Sequence, residues 1–567
     1  MHLIELSEGE SERQIRRERK RGRRWGEGVK GVRAMPPEGA EALRFRDLIS
    51  PVLSRFPMVE RPAYHVHFKK KLAWTLGVLV LYFALCNIPL FGLGPESMDM
   101  FGRWRAIFAG KRFSLTALGI MPIVDASIVL QLLVGAKIIE LDLTTEEDRA
   151  FYQNLQKLLV LLFSALISLS YVVGFYQPDI TVASKLGVSP QFISFLLFLQ
   201  VFAGGMLIYF LDEVVSKWGI GSGVSLFILA GVSQAIVTGL VNPEMEAGYG
   251  GNPWAIGVIP RLIQIIFMPE SIGLTGGVYE MLTIDFLFAS GIIALLTTIA
   301  VFLAVVYLES TRIEIPLAHS LARGARGRFP IKLLYASVLP VILVRALQMG
   351  FQAFGKFIAP HISTVTSSES VSAGIKTVTY KYTSFLGTYV QTIQTNLTTN
   401  EVITNTMMPQ SGLMYILQPI YSPYDWFPAL IPHHEPWEIA LRICVDLFFM
   451  VVLGVVFALF WINTTGMGAK DVAEQIHRSG LQIPGFRRTP ATLERMLGNY
   501  IPKITVMGAA ILGALCVLAN MLGTVGNATG TGLLLAVSIA YSLYQQIASE
   551  QVMEMYPALR RFLGSGA

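Results

Sequence analysis

Between Met100 and Asp142 the chain reads MFGRWRAIFAGKRFSLTALGIMPIVDASIVLQLLVGAKIIELD. A short segment carrying Arg103, Arg105, Lys111 and Arg112 passes into an apolar run from Leu115 to Ile139. Three residues are foreign to a plain lipid-facing helix. Pro122 removes a helix hydrogen bond and predicts a break. Asp125 and Gln131 put polar groups at membrane depth, where ionisable groups normally face a cavity or another helix. A broken span with polar groups turned inward reads as part of a pathway.

Working outward, composition sets the class. Of 567 residues, 53% are hydrophobic and 15% charged, against roughly 45–50% and about 25% in soluble proteins. With a mean hydropathy of +0.53, this is an integral membrane protein. A spanning helix needs about 20 mostly apolar residues, whereas barrel strands would be about ten alternating residues each. The interrupted apolar runs therefore predict an all-α polytopic protein of ten spans. They are placed at 72–92, 116–138, 156–176, 191–211, 223–240, 285–308, 333–356, 437–461, 501–522 and 531–549. Cys86, Cys444 and Cys516 all lie in apolar runs and read as small core residues, with no disulfide framework or metal cluster.

Charge sets the orientation. Residues 1–71 form a basic tail with RQIRRERKRGRR at 13–24, a possible short amphipathic helix at 48–59, and Lys69, Lys70 and Lys71 before the first span. No apolar core follows those charges closely, so a cleaved signal peptide is not expected. Segments 309–332 and 462–500 are rich in arginine, whereas 241–284 and 357–436 carry few cations. By positive-inside bias both termini, including the 550–567 tail, are cytoplasmic, in a cell-membrane protein. Segment 357–436 is Ser/Thr-rich, reads as an ordinary polar loop, and contains the glycosylation tripeptide Asn396-Leu397-Thr398.

No catalytic signature appears: there is no P-loop, HExxH or nucleophile elbow. The chain is not expected to be an enzyme or to carry a cofactor or metal. WGIGSG at 218–223 lacks the Lys-Ser/Thr ending of a phosphate loop and reads as a tight connection opening the fifth span. The informative pattern is aliphatic pairs beside helix breakers. Ile120 and Val124, four apart, share one helix face and flank Met121-Pro122. Val224 and Ile228 repeat the spacing after the glycine turn, Ile342 follows Pro340, and Leu535 follows Gly530-Thr531-Gly532. Periodicity alone reads these as core packing. Meeting at one level, they would form a constriction that excludes water by dewetting and size.

Several long stretches carry a family resemblance. They are LGIMPIVDASIVLQLLVGAKIIELD (118–142), DEVVSKWGIGSGVSLFILAGVSQ (212–234), EIPLAHSLARGARGRFPIKLLYASVLPVIL (314–343), TTGMGAKDVAEQI (464–476), GFRRTPATLERMLGNYIPKITVMG (485–508) and GTGLLLAVSIAYSLYQQ (530–546). From about residue 45 onward the chain resembles the SecY channel of the Sec translocon, on its archaeal and eukaryotic side.

The resemblance implies a fold of two pseudo-symmetric halves, spans 1–5 (72–240) and 6–10 (285–549), around an hourglass pore. It implies a pore ring of Ile120, Val124, Val224, Ile228, Ile342 and Leu535. It implies a short plug helix near 100–113, with Arg103, Trp104, Arg105, Ile107 and Phe108. It implies a lateral gate between spans 2–3 and 7–8, where Asp125, Gln131 and Val338 sit. Asp125 departs from a small hydroxyl residue, and Val338 from an asparagine. Asp125 is expected to pair with a cationic or hydroxyl group or to carry a proton. The basic loops are implied to dock the ribosome and its RNA, through Arg323, Arg326, Arg328, Arg487 and Arg488. Other implied partners are SecE/gamma-type and beta-type small subunits, nascent polypeptides, signal sequences and membrane lipid. The rival from another class is a secondary transporter of small solutes with inverted repeats. That class predicts convergent polar groups at mid-membrane, where this chain places aliphatics, with Asp125 and Asp446 as exceptions.

Overall fold

A computed structural model describes residues 59–555, except 61, 63–65, 99–106, 136–137, 140, 142–145, 248–252, 269–282, 320–325, 337–338, 373–374, 397–401, 428–433, 479–480, 483–489 and 527. Arg103, Trp104, Arg105, Val338, Arg323, Arg487 and Arg488 lie outside the described residues, as do most of the basic tail and the side chains of Arg326 and Arg328.

A helix lies at each of the ten expected positions. In order they are Phe68–Cys86, Met121–Gly135, Glu146–Gly174, Pro190–Trp218, Gly223–Val241, Ile292–Ser310, Leu339–Ile362, an eighth in three parts, Pro490–Leu522 and Gly530–Met555. The eighth runs from Pro436–Phe448 through a π-helical turn, Phe449–Leu453, into Gly454–Thr464. Among the described residues, seven helices are long and apolar enough to cross a membrane. The second helix, with 15 residues, is only about 22 Å long, short of a hydrocarbon core of about 30 Å.

That shortness corrects the expected break. Pro122 does not interrupt the second helix; the helix starts at Met121, so the proline occupies its first turn. Pro340 stands likewise second in a helix that starts at Leu339. The first N–H groups of a helix have no partner within it, so a residue lacking one costs nothing there. What precedes Met121 is a series of turns. Gly119 adopts a left-handed φ of +55°, and a Cβ there would fall 1.9 Å from the Phe108 carbonyl oxygen, so only glycine fits.

The joining segments contain strands that their polar composition did not announce. Within 357–436, four antiparallel strands follow in chain order: Thr364–Ser372, Ile375–Ser384, Gly387–Asn396 and Val402–Ser411. In the arginine-rich segments, Arg312–His319 pairs with Arg326–Lys332, and Leu481–Gln482 adds to the former through Ala318↔Gln482. The two basic segments, far apart in sequence, thus join one three-stranded sheet. The fold remains mostly helical, and the spans share one continuous apolar core.

Candidate functional site

Six aliphatic residues, in or directly before four helices, lie in or against that core. Ile120, Val124, Ile228, Ile342 and Leu535 are buried members of it, and Val224 packs against it. Each of the four helices starts close to the ring. Ile120 directly precedes Met121, Val224 is second from Gly223, Ile342 fourth from Leu339 and Leu535 sixth from Gly530. The backbone N–H of Val224 donates to Asp212 Oδ1 at 2.9 Å. That of Thr531 donates to Asn520 Oδ1 at 3.0 Å. Beside Ile342 lies a cavity of about 190 Å³, lined also by Ser222, Ser225, Leu226, Ser542 and Gln546. The apolar ring therefore borders a space walled in part by hydroxyl and amide groups.

The segment preceding the second helix seats against the ring. Ile107 and Phe108 are fully buried, within a turn and not a helix. The Ile120 N–H donates to the Phe108 carbonyl at 2.8 Å, and the Tyr82 hydroxyl donates to the Ala109 carbonyl at 2.8 Å. Tyr82 stacks on Phe227 of the fifth helix, 4.8 Å between centroids. A Cβ on Gly532 of the tenth helix would lie 3.5 Å from Ile107. The cations face away: Lys111 donates to Asn87 Oδ1, and exposed Arg112 lies over the Phe113 ring at 4.5 Å. Among the described residues of this segment, Ile107 and Phe108 are thus buried beside Ile120, while Lys111 and Arg112 turn to Asn87 and Phe113.

The seam between the halves is built of glycine against aromatic. A Cβ on Gly135 of the second helix would lie 3.3 Å from the Phe460 ring in the eighth. One on Gly174 of the third would lie 3.1 Å from Phe357 of the seventh. Asp125 is partly buried and makes no hydrogen bond or ion pair with another described residue, so the expected partner is not found there. Gln131 is buried, and its Oε1 has no hydrogen-bond partner among the described residues. Ser127 instead joins the second helix to the third, accepting from Gln156 Nε2 at 2.9 Å.

Asp446, singled out in the sequence as a mid-membrane exception, belongs to a buried ionic cluster whose other members the sequence did not mark. Arg345 of the seventh helix is 0% exposed. Its Nη1 donates to Asp446 Oδ1 of the eighth at 2.7 Å and to Gln348 Oε1 at 2.8 Å. Its Nη2 reaches Cys516 Sγ of the ninth at 3.8 Å. Cys516 and Asn520 in turn contact the Thr531 hydroxyl of the tenth at 2.8 and 3.0 Å. Four helices of one half are thereby tied together. These mid-membrane charges neutralise each other and do not line a solute cavity, unlike the arrangement a small-solute transporter requires. Among the described residues, no group of three or more His, Cys, Asp or Glu is placed to hold a metal ion.

Residues 114–544 match the family model described as SecY, and residues 80–112 the model described as the plug domain of Sec61p. The chain is 50% identical, over 528 residues, to the protein translocase subunit SecY of Archaeoglobus fulgidus, covering 92% of this chain and 99% of that one. To the SecY subunit of Haloferax volcanii it is 47% identical over the same shares of each chain. A solved structure described as a protein conducting channel is similar with TM-score 0.66 and 33% identity, covering 90% of this chain and 99% of that one. Sec61 in the canine ribosome-channel complex from the endoplasmic reticulum is similar with TM-score 0.64 and 33% identity, over the same shares.

Proposed function

The chain belongs to the SecY family, and on that premise we propose how its parts divide the work of a protein-conducting channel. It is a translocase subunit of ten-helix SecY fold. Ile120, Val124, Val224, Ile228, Ile342 and Leu535 are the gasket. Branched and flexible side chains fit around any passing sequence without binding it, and a ring of them sheds water when empty. The single observation that carries this assignment is that five of the six are buried in one apolar cluster drawn from both halves, with Val224 packed against it. Ile107 and Phe108 plug the ring by packing. Arg103, Trp104 and Arg105 belong to the same closing element. Spans 2 and 3 part from spans 7 and 8 at the glycine–phenylalanine seam to release membrane segments sideways into lipid, with Asp125, Gln131 and Val338 as the gate's polar positions.

The arginine-rich segments are the ribosome-docking face, through Arg323, Arg326, Arg328, Arg487 and Arg488. Their joining into one sheet supports a single docking platform. Guanidinium groups grip RNA phosphate through paired hydrogen bonds. On this reading both termini are cytoplasmic and the protein lies in the cell membrane, which the arginine distribution supports. Small SecE/gamma-type and beta-type subunits complete the complex. No catalytic step is assigned to the chain; a partner that feeds it polypeptide supplies the energy.

A stalled nascent chain with a photoprobe on the channel at Ile120 or Leu535 tests the gasket. Cross-links at both positions, and none at lipid-facing Leu303, are expected. Equal labelling at all three removes the ring from the path.

A further inference from the structure

The four-stranded sheet between the seventh and eighth helices touches both halves of the channel. Its side toward the seventh helix is fixed by Tyr389, which is fully buried. The Tyr389 hydroxyl lies 2.1 Å from where a Cβ on Gly355 would be, so the seventh helix must carry glycine there to admit it. Its other attachment is polar. The Tyr382 hydroxyl donates to Gln391 Oε1 at 2.9 Å, and Gln391 Nε2 donates to Asn405 Oδ1 at 2.9 Å. Asn405 Nδ2 then donates to the Glu96 carbonyl at 2.7 Å. The pairings Tyr382↔Tyr389, Gln391↔Met407 and Ile393↔Asn405 put these three side chains on one face of three adjacent strands, diagonal to one another. The same face carries buried Met407, and Asn405 is itself buried. Because Gln391 donates to the Asn405 oxygen, the Asn405 amide is left with its N–H group turned toward Glu96.

Glu96 lies within the residues that match the plug domain, three positions before the segment 99–106. Its neighbours rest on the end of the third helix, with Gly94 N–H donating to Gln177 and Met98 N–H to Phe175, at 2.7 and 2.8 Å. We propose that Asn405 is a positioning residue for the plug: a sheet belonging to the second half holds the chain leading into the plug, around Glu96, which belongs to the first half. The inference rests on the reading that residues 80–112 seal the ring. At the helical seam the contacts described above are glycine on phenylalanine, whereas this contact is a directed hydrogen bond to backbone. Parting of the halves at the seam must therefore break it, which couples opening of the gate to release of the plug.

The test uses the purified channel complex in liposomes. N405D replaces the donor with a carboxylate opposed to the Glu96 carbonyl, and Q391L removes the group that orients Asn405. Each is expected to raise the resting ion leak by about fivefold, the factor that one ordinary hydrogen bond makes in a closed–open equilibrium, while translocation proceeds at its normal rate. A bifunctional thiol reagent with a cleavable disulfide, bridging E96C and N405C, should arrest translocation until reductant is added. The single-cysteine variants control for Cys86, Cys444 and Cys516. If N405D fails to assemble, Q391L decides the leak. An unchanged leak in the variants that assemble overturns the proposal, as does normal translocation through the bridged channel. Nascent-chain labelling at Ile120 in the same preparations separates the two readings: with labelling present and leak unchanged, the latch is wrong and the channel assignment stands. With labelling absent, the channel assignment itself fails.

Discussion

The interior of the second half and the seam between the halves are held by opposite chemistry. Inside the second half, Arg345, Asp446 and Gln348 form a dry ionic cluster, continued through Cys516, Thr531 and Asn520 across four helices. At the seam, Gly135 meets Phe460 and Gly174 meets Phe357. A buried ion pair tolerates little displacement, because separating its members leaves charge in a medium that cannot solvate it. Glycine against an aromatic face slides and parts at the loss of a few dispersion contacts, each of order 0.1–0.2 kcal/mol. The difference teaches where the molecule is tied and where it is not: four helices of the second half share directed polar bonds, while the glycine–phenylalanine contacts of the seam are apolar.

Substitutions at three sites break or sharpen that contrast, and a pH titration elsewhere sets its baseline. The largest effect is expected for Arg345→Met, which strands the Asp446 carboxylate and should destabilise the second half by about 3–5 kcal/mol. R345M/D446L should recover most of it, and thermal melting of the detergent-solubilised protein reads both. A loss as large in the double variant would mean that packing, not charge, holds the half together. Next comes Phe460→Ala. Its ring is only partly buried, so about 1–2 kcal/mol is expected. Export of substrates with marginal signal sequences should rise, since less contact opposes parting.

Asp125→Asn removes an ionisable group that pairs with no described residue, and melting should change by less than about 0.5 kcal/mol. A shift in signal-sequence selectivity is expected from it; selectivity equal to wild type would take Asp125 out of the gate. The smallest effect belongs to neither region. Asp179 caps the short helix Ile180–Leu186, accepting from the Thr181 hydroxyl at 2.6 Å and the Thr181 N–H at 2.8 Å. The Thr181 hydroxyl, with the backbone N–H groups of Thr181 and Val182, holds its carboxyl below the usual range. A depressed value stabilises the folded helix above the unfolded carboxyl's pKa of about 3.9. That stability is lost as pH falls through the folded value. Amide exchange at Thr181 and Val182 should accelerate over that range, while the ring amides stay protected.

How much of this was legible in the sequence follows from how local each signal is. Apolar length marks a helix without reference to anything else, so all ten appear where hydropathy put them. The six aliphatic positions stood out because they sit beside punctuation, proline in two helices and glycine in two, although the pattern alone read as core packing and only the family resemblance implied a ring. The punctuation was read in the wrong sense, since Pro122 and Pro340 open helices and do not break them. The four-stranded sheet escaped notice because serine and threonine in TVTSSESVS suggest a loop. Yet the run TVTYKYTSFLGTYVQTIQTN alternates β-branched or aromatic residues with polar ones around a turn, which is the pattern of a hairpin. Arg345 could not have been read at all: its partner stands 101 positions away, and no spacing rule links them.

Every helix that contributes to the ring also begins there, and this has an electrical consequence. The backbone dipoles of a helix sum to about half a positive charge at its first turn. Four such ends converge on a waist whose side chains carry no charge. Asp212 offsets one of them; the end at Gly530 is met by the neutral Asn520 and Thr529 side chains. On the proposed gasket assignment, the constriction is thus an uncharged ring in a positive field. An ion slipping past it should more often be chloride than potassium, and the sign of the reversal potential across a salt gradient reads that preference directly.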